Sequence, residues 1–568
     1  MARTITIITA AVATAALSTS VLAERGSAGH LNILYWQASS TLNPYLSGGT
    51  KDIEAASLVI EPLAHYDEDG NMVPVLVDEI PTVENGGVGT DLLSITWKLR
   101  KDILWSDGSP LKAEDVVFSG EYCMHPESGC NASNYFEGVS KFEALDDNTV
   151  KISFNVEKPF PYGPFVGSTT PVIQKKQFEN CMGAKGQECT AENFGPIGTG
   201  PFKVVEFRAN DVVSYAMNEN YRDPAKPAFA TATFKGGGDA ASAARAVLET
   251  GEFDYAWNLQ VEPEILEQMA AAGKGKIVAG FGTSVERLML NQTNNDPGLD
   301  RETRSNYLEG KNPHPFLTDP AVRKALSISI DRQILVEAGY GAAGQPSCNV
   351  LPAPAVYAST ANDSCKEQDV DRANQLLDDA GWARGSDGIR AKNGVRLSIL
   401  YQTSTNSVRQ GTQALVKQMW EKIGVETELR NIDAAVFFGG DPASPDTYQK
   451  FYADVEMYTN NFSGTDPESY MANWICKEIP GPQNQWLGNN IQRSRVPEYD
   501  ALAAELSETA SLEKRAELAK KMNDILVTNE YMVPLIWRAR VSAHAVTLKG
   551  VRMNSWDSEL WNAADWHR

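Results

Sequence analysis

The stretch Trp97-Lys-Leu-Arg-Lys-Asp-Ile-Leu-Trp-Ser-Asp-Gly-Ser-Pro-Leu-Lys-Ala-Glu-Asp-Val-Val-Phe-Ser119 decides how the rest of the chain is read. Its approach, Ser94-Ile-Thr-Trp-Lys-Leu-Arg100, alternates large apolar residues at Ile95, Trp97 and Leu99 with polar ones, the period of a strand with one buried face. Trp105-Ser-Asp-Gly108 turns the chain, and a helix is expected from about Lys112. Glu114 and Asp115 fall in its first turn, where the helix dipole favours carboxylates, and read as a solvated face.

Upstream, Leu31-Asn-Ile-Leu-Tyr-Trp36 reads as a strand, and Leu63-Ala-His-Tyr66 with Met72-Val73 as a hairpin about the turn 67–71. Downstream, helix and strand alternate. Thr318-Asp-Pro320 opens a helix with capping residues, and the helix through Val370, Ala373, Leu376, Leu377 and Ala380 stops at Gly381. Arg396-Leu-Ser-Ile-Leu-Tyr401 reads as strand, 407–423 as helix with Leu415, Val416, Met419, Trp420 and Ile423 on one face, and Val425 to Asn431 as strand. That is a βαβ crossover, which requires a parallel sheet. Residues 498–528 are expected to be helical, and Met532-Val-Pro-Leu-Ile-Trp537 to return as a strand.

At 568 residues, with 42% hydrophobic and 22% charged, the chain is too long for one core. The 51 Lys+Arg against 73 Asp+Glu give −22, which excludes nucleic acid and anionic membranes as partners. Arg3, the apolar run to Leu17 and the ending Val21-Leu-Ala23 read as a secretory signal peptide, 1–23, and the following Glu24 is not a lipidation site. No later stretch approaches the roughly 20 apolar residues of a membrane span, so a soluble exported protein without a lipid anchor is expected. Seven cysteines fit an oxidising compartment. Pairing by proximity would join Cys123 with Cys130, Cys181 with Cys189 and Cys348 with Cys365 and leave Cys476 over, although spacing alone does not determine connectivity.

Catalytic machinery is not evident. The six His (30, 65, 125, 314, 544, 567) include no H-E-x-x-H, no nucleophile elbow or phosphate loop occurs, and no metal or cofactor is expected. Ser109-Pro-Leu-Lys112 matches S-x-x-K, but Pro110 interrupts it and no Lys-Thr-Gly follows. What stands out is 12 Trp, 19 Tyr and 19 Phe, many beside amides, as in Tyr35-Trp-Gln37, Trp257-Asn-Leu-Gln260, Tyr458-Thr-Asn-Asn-Phe462 and Gln485-Trp486. Such pairs suit a binding cleft and serve equally well in a core.

The stretch 97–119 resembles the signature of the family 5 extracellular solute-binding proteins, the peptide/nickel/opine class serving ATP-binding-cassette importers. Gly195-Pro-Ile-Gly-Thr-Gly-Pro-Phe202, Asn218-Glu-Asn-Tyr-Arg-Asp-Pro224, Leu248-Glu-Thr-Gly-Glu-Phe-Asp254, Asp319 to Leu326 with Ile330-Asp-Arg332, Leu376 to Trp382 and Val533-Pro-Leu535 follow in family order over essentially the whole mature chain. The resemblance implies an α/β, two-lobed periplasmic binding protein fold of type II, in its enlarged peptide-binding class. Lobe I would hold 24–71, 194–284 and 536–568, with an extra subdomain at 72–193, and lobe II 285–535. It implies a monomeric, non-enzymatic periplasmic receptor that closes on a small solute by hinge motion and delivers it to an inner-membrane permease. An oligopeptide is the expected solute, with an oligosaccharide as the alternative; an exported hydrolase is a more distant third.

Peptide-binding members place an Asp before an Asp-Pro, where it pairs with the ligand's amine; here that position is Ser463, so Asp466, an Asn, or an amine-free ligand must take over. Lys112 likewise stands where the family often has Thr. The residues nominated for the cleft are Tyr35, Trp36, Trp257, Asn258, Tyr401, Thr403, Asn461, Phe462, Ser463 and Asp466.

Overall fold

The computed structural model describes residues 24–462 and 464–568; the expected signal peptide and Ser463 lie outside the described residues. One sheet runs through the whole molecule. We label its strands β1 (His30–Tyr35), β2 (Phe202–Arg208), β3 (Val212–Met217), β4 (Thr231–Gly236), β5 (Tyr255–Ala256), β6 (Gly275–Leu290), β7 (Gly344–Pro346), β8 (Ser398–Ser404), β9 (Glu426–Ile432), β10 (Val455–Asn460) and β11 (Met532–Ala545). Their spatial order is β9-β8-β10-β6-β11-β5-β1-β4-β3-β2, with β7 added against β11.

The middle of this order holds the two longest strands, β6 and β11, paired antiparallel over nearly their full length. Register shifts between Phe281 and Val285 and between Glu286 and Arg287 break the ladder midway, and such irregularities bend and twist a strand pair. Buried cores gather on either side. Ile33, Tyr35, Trp97, Phe165, Phe234 and Trp566 belong to one; Leu288, Leu326, Tyr401, Trp420 and Leu535 belong to another. Two lobes joined by two long strands is therefore the architecture.

The βαβ unit forms as its pattern requires. β8 and β9 pair in parallel, joined by the helix Ser407–Lys422, which Asn406 caps by accepting the N–H of Arg409. Val416, Met419, Trp420 and Ile423 sit in the second lobe's core, with Leu415 half-buried against it. The expected helix over 498–528 is two helices, Pro497–Glu508 and Leu512–Thr528, because Ser511 turns its hydroxyl onto the N–H of Lys514 and starts a new one.

The strand Ser94–Lys98 pairs with Thr149–Phe154 in a three-stranded antiparallel sheet, with Ile95 and Trp97 fully buried. The helix after it, Ala113–Met124, gets no help from the Lys112 side chain. Asp115 takes over. Its carboxylate accepts from the Lys112 N–H (3.0 Å), the Trp105 indole (3.3 Å) and the Lys175 N–H (2.9 Å). Asp115 is thus buried rather than solvated, and burial, ahead of these bonds, raises its pKa. Within the string Gly195 to Phe202, Gly198 is required by close approach: a Cβ there would lie 1.8 Å from the Val59 carbonyl oxygen.

Three disulfides close, Cys123–Cys130, Cys181–Cys189 and Cys348–Cys365, with Cys476 free. Among the described residues no helix is long and apolar enough to cross a membrane.

Candidate functional site

Between the lobes, against the broken centre of the β6/β11 ladder, lies a cavity of about 1250 Å³, solvent at its mouth included. Its lips touch. Lys158 reaches Glu468 at 2.6 Å, the Asn134 amide donates to the Ser469 carbonyl at 2.7 Å, and Lys477 pairs with Glu137.

The cavity's charge comes from the hinge strands and the C-terminal tail. Arg538 and Arg540 stand two apart on β11 and so share one face of the strand. Arg538 Nε donates to the Thr459 hydroxyl at 2.7 Å and one Nη to the Ala539 carbonyl, while Arg540 uses one Nη on the Asn554 and Asp557 carbonyls. The second Nη of each, and Nε of Arg540, have no acceptor among the described residues. Beneath them Glu286 of β6, fully buried, accepts from Arg409 at 2.9 Å, from Tyr340 at 3.3 Å and from the Thr459 hydroxyl. Burial alone would raise its pKa; Arg409 and Arg538 outweigh burial and hold it below the usual carboxylate range.

Near Arg540 two further carboxylates, Glu54 and, on the C-terminal tail, Glu559, are buried. Glu54 accepts from the Ser558 hydroxyl (2.5 Å) and the Glu559 N–H (3.1 Å), and Glu559 accepts from the Tyr255 and Ser542 hydroxyls (2.6 Å each). Burial, then the neighbouring Glu559, pushes Glu54 up to about 7; burial likewise raises Glu559.

Of the nominated residues, the cavity brings together Trp257, Asn258, Asn461 and Phe462. The Trp257 ring is stacked 4.7 Å from Tyr35, and Phe462 is stacked 4.6 Å from Tyr470, so each is backed by a second aromatic. The other described nominees lie elsewhere. Tyr35 is the fully buried partner behind Trp257, and Trp36 packs among Ala243, Ala244 and Leu248, its indole donating to the Asn258 carbonyl at 2.8 Å. Tyr401 and Thr403 belong to the second lobe's interior, bonded to the Met457 sulfur and carbonyl. Tyr401 and Thr403 share a packed face of β8, whereas Tyr35 and Trp36, adjacent at the end of β1, bury into two different cores, so both sides are packed there and alternation alone does not reveal it.

Asp466 is engaged by Arg515, which donates to both of its oxygens at 2.5 and 3.0 Å, and lines a neighbouring pocket rather than this cavity. Glu54, Arg538, Arg540 and Glu559 were absent from the sequence reading. Their one signal was Arg-Ala-Arg inside an otherwise apolar run, 532–545, which the reading ended at Trp537.

A family model described as bacterial extracellular solute-binding proteins, family 5 (middle), matches residues 72–479. The chain belongs to that family. It is accordingly a binding protein rather than an enzyme. A glutathione-binding protein, GsiB, of Escherichia coli O1:K1 is 26% identical over 520 residues, spanning 90% of this chain and 89% of the relative. Among solved family folds, the oligopeptide-binding protein AppA of Bacillus subtilis in complex with a nonapeptide superposes with a TM-score of 0.81 at 20% identity, covering 96% of this chain and 99% of that one. NikZ of Campylobacter jejuni in complex with Ni(L-His) gives 0.78 at 23% identity, covering 95% and 99%. These similarities agree with the two-lobed fold.

Proposed function

We propose that this protein is a monomeric periplasmic receptor that captures a short, carboxylate-bearing peptide between its lobes and delivers it to an inner-membrane ATP-binding-cassette permease. One observation carries the reading: Arg538 and Arg540 line the cavity with guanidinium donors that find no acceptor among the described residues. Donors left open to the cavity are free to take a ligand's oxygens, and the planar guanidinium fork matches a carboxylate. The names of the relatives, for glutathione and for peptide, agree with this class. Placing the donors on a hinge strand lets one ligand contact bear on closure, since closure gains only what the ligand prefers in the closed form.

A second reading, an oligosaccharide receptor, is favoured by the cavity's amides, among them Asn131, Asn134, Asn461, Asn473 and Asn489 beside Trp257. A thermal-shift screen of ligand-stripped mature protein separates the two. A ligand at 100 times its Kd stabilises by about 2.7 kcal/mol. Stabilisation by short peptides, glutathione included, that is lost with the corresponding peptide amides is expected; stabilisation by oligosaccharides alone overturns the peptide reading.

A further inference from the structure

Two carboxylates buried side by side require either a shared proton or a cation, and the nearby Arg538 and Arg540 guanidinium groups act on the pair without forming an ion pair with either carboxylate. Among the described residues no Lys, Arg or His nitrogen lies within 4.0 Å of the Glu54 or Glu559 carboxylate, although both residues line the cavity and are about 1% exposed. Every other buried carboxylate that reaches the cavity is differently placed: Asp557 is saturated by the N–H groups of Tyr66, Ser168 and Ser558 and by the Ser168 hydroxyl. On Glu559 one oxygen takes both hydroxyl bonds, and the other has no donor among the described residues.

The surroundings point the same way. Gln37 and Asn258, at 5% and 7% exposure, line the same cavity, and their side-chain amides have no hydrogen-bond partner among the described residues. Asn258 is tied to the pair through its own backbone, whose N–H donates to the Ser542 hydroxyl that in turn donates to Glu559. Buried amides left open toward a cavity mark groups that a ligand is to satisfy. We infer that Glu54 and Glu559 form the seat for a cationic head group of the ligand, an ammonium in the case of a peptide. The pair thereby does what Ser463, standing where peptide-binding members have an Asp, is not equipped to do. Resting on the peptide reading above, the inference adds a second contact: a ligand with its carboxylate on Arg538 and Arg540 and its ammonium on the carboxylate pair.

The test is calorimetric titration of ligand-stripped protein with trialanine and N-acetyl-trialanine, and in parallel with a glucosamine trimer and its N-acetylated form. The seat predicts that the free-amine form of the class that binds is preferred at least 30-fold, and that the preference falls below threefold in Glu559→Gln and in Glu54→Gln. The comparison on the unsubstituted protein requires no variant to fold. Equal binding of free and blocked forms overturns the seat, as does a variant that keeps the full preference. If both peptides fail while the free amino sugar is preferred, the peptide reading falls and the seat stands.

Discussion

Replacing Glu286 probes whether the hinge is held by a buried ion cluster. Its carboxylate has no exposed surface and faces Arg409 at 2.9 Å and Arg538 at 3.8 Å, each itself almost wholly buried. In Glu286→Gln the shape and most hydrogen bonds remain, but two guanidinium groups lose their counter-charge inside the protein. Removing one partner of a buried pair costs about 3–5 kcal/mol, and for a lobe of this size that is on the order of 10 °C in Tm. Denaturant unfolding of Glu286→Gln, Arg409→Met and the double variant reads this directly. The double variant should lose less than the sum of the singles by at least about 1.5 kcal/mol, because the second change removes one of the charges stranded by the first. The acid limb supplies a further check. A carboxylate with a lowered folded pKa contributes stability that is present above its unfolded value and lost as pH falls through the folded one, so the Gln variant should unfold with a shallower acid slope. A loss below about 1 kcal/mol in Glu286→Gln, with additive singles, would refute the argument.

Two other outcomes follow from the site. Trp36→Ala empties a packed core position and should cost about 3–5 kcal/mol, while Asn461→Ala, at the cavity wall, should leave unfolding unchanged and weaken ligand binding; thermal melts with and without ligand distinguish them, and the reverse pattern would mean the wall has been misassigned. Glu478, like Glu54, is raised by burial to about 7, so the folded protein holds a proton that the unfolded chain releases near pH 4.5, and stability contributed by that proton is lost as pH rises from there through about 7. Removing the titration in Glu478→Gln should flatten the decline in unfolding free energy between about pH 4.5 and 7, by up to about 3 kcal/mol; an unchanged slope contradicts it.

The fold was legible where periodicity has one physical solution. The stripe on 407–422 between two apolar strands can be buried only by a parallel crossover, and β8 and β9 pair that way. The cleft was legible only in part. Reasoning from loops after strands named Trp257, Asn258, Asn461 and Phe462, which line the cavity, whereas Tyr35 and Tyr401 precede those loops and are buried, and a one-residue choice of face separates wall from core. The charged residues were hidden for another reason. Arg538 and Arg540 sit in a strand that must carry them inward at a lobe boundary, and Glu54 and Glu559, 505 positions apart and in no shared motif, meet only when the tail folds back.

That return of the tail has a consequence for how the molecule comes into being. Tyr66 N–H is capped by Asp557, 491 residues later, and Leu548, Leu560 and Trp566 complete the core that Leu31 and Ile33 begin. The first residues synthesised therefore have no finished core to enter until the last ones emerge, and contacts of such separation form slowly. A nascent chain of this design stays open for its whole synthesis, the condition a polypeptide needs if it is to be threaded through a membrane before it folds. By the same logic a stop codon just before Met532 removes a hinge strand and leaves both lobes incomplete, whereas loss of an equal length from a chain with sequential domains would spare the first.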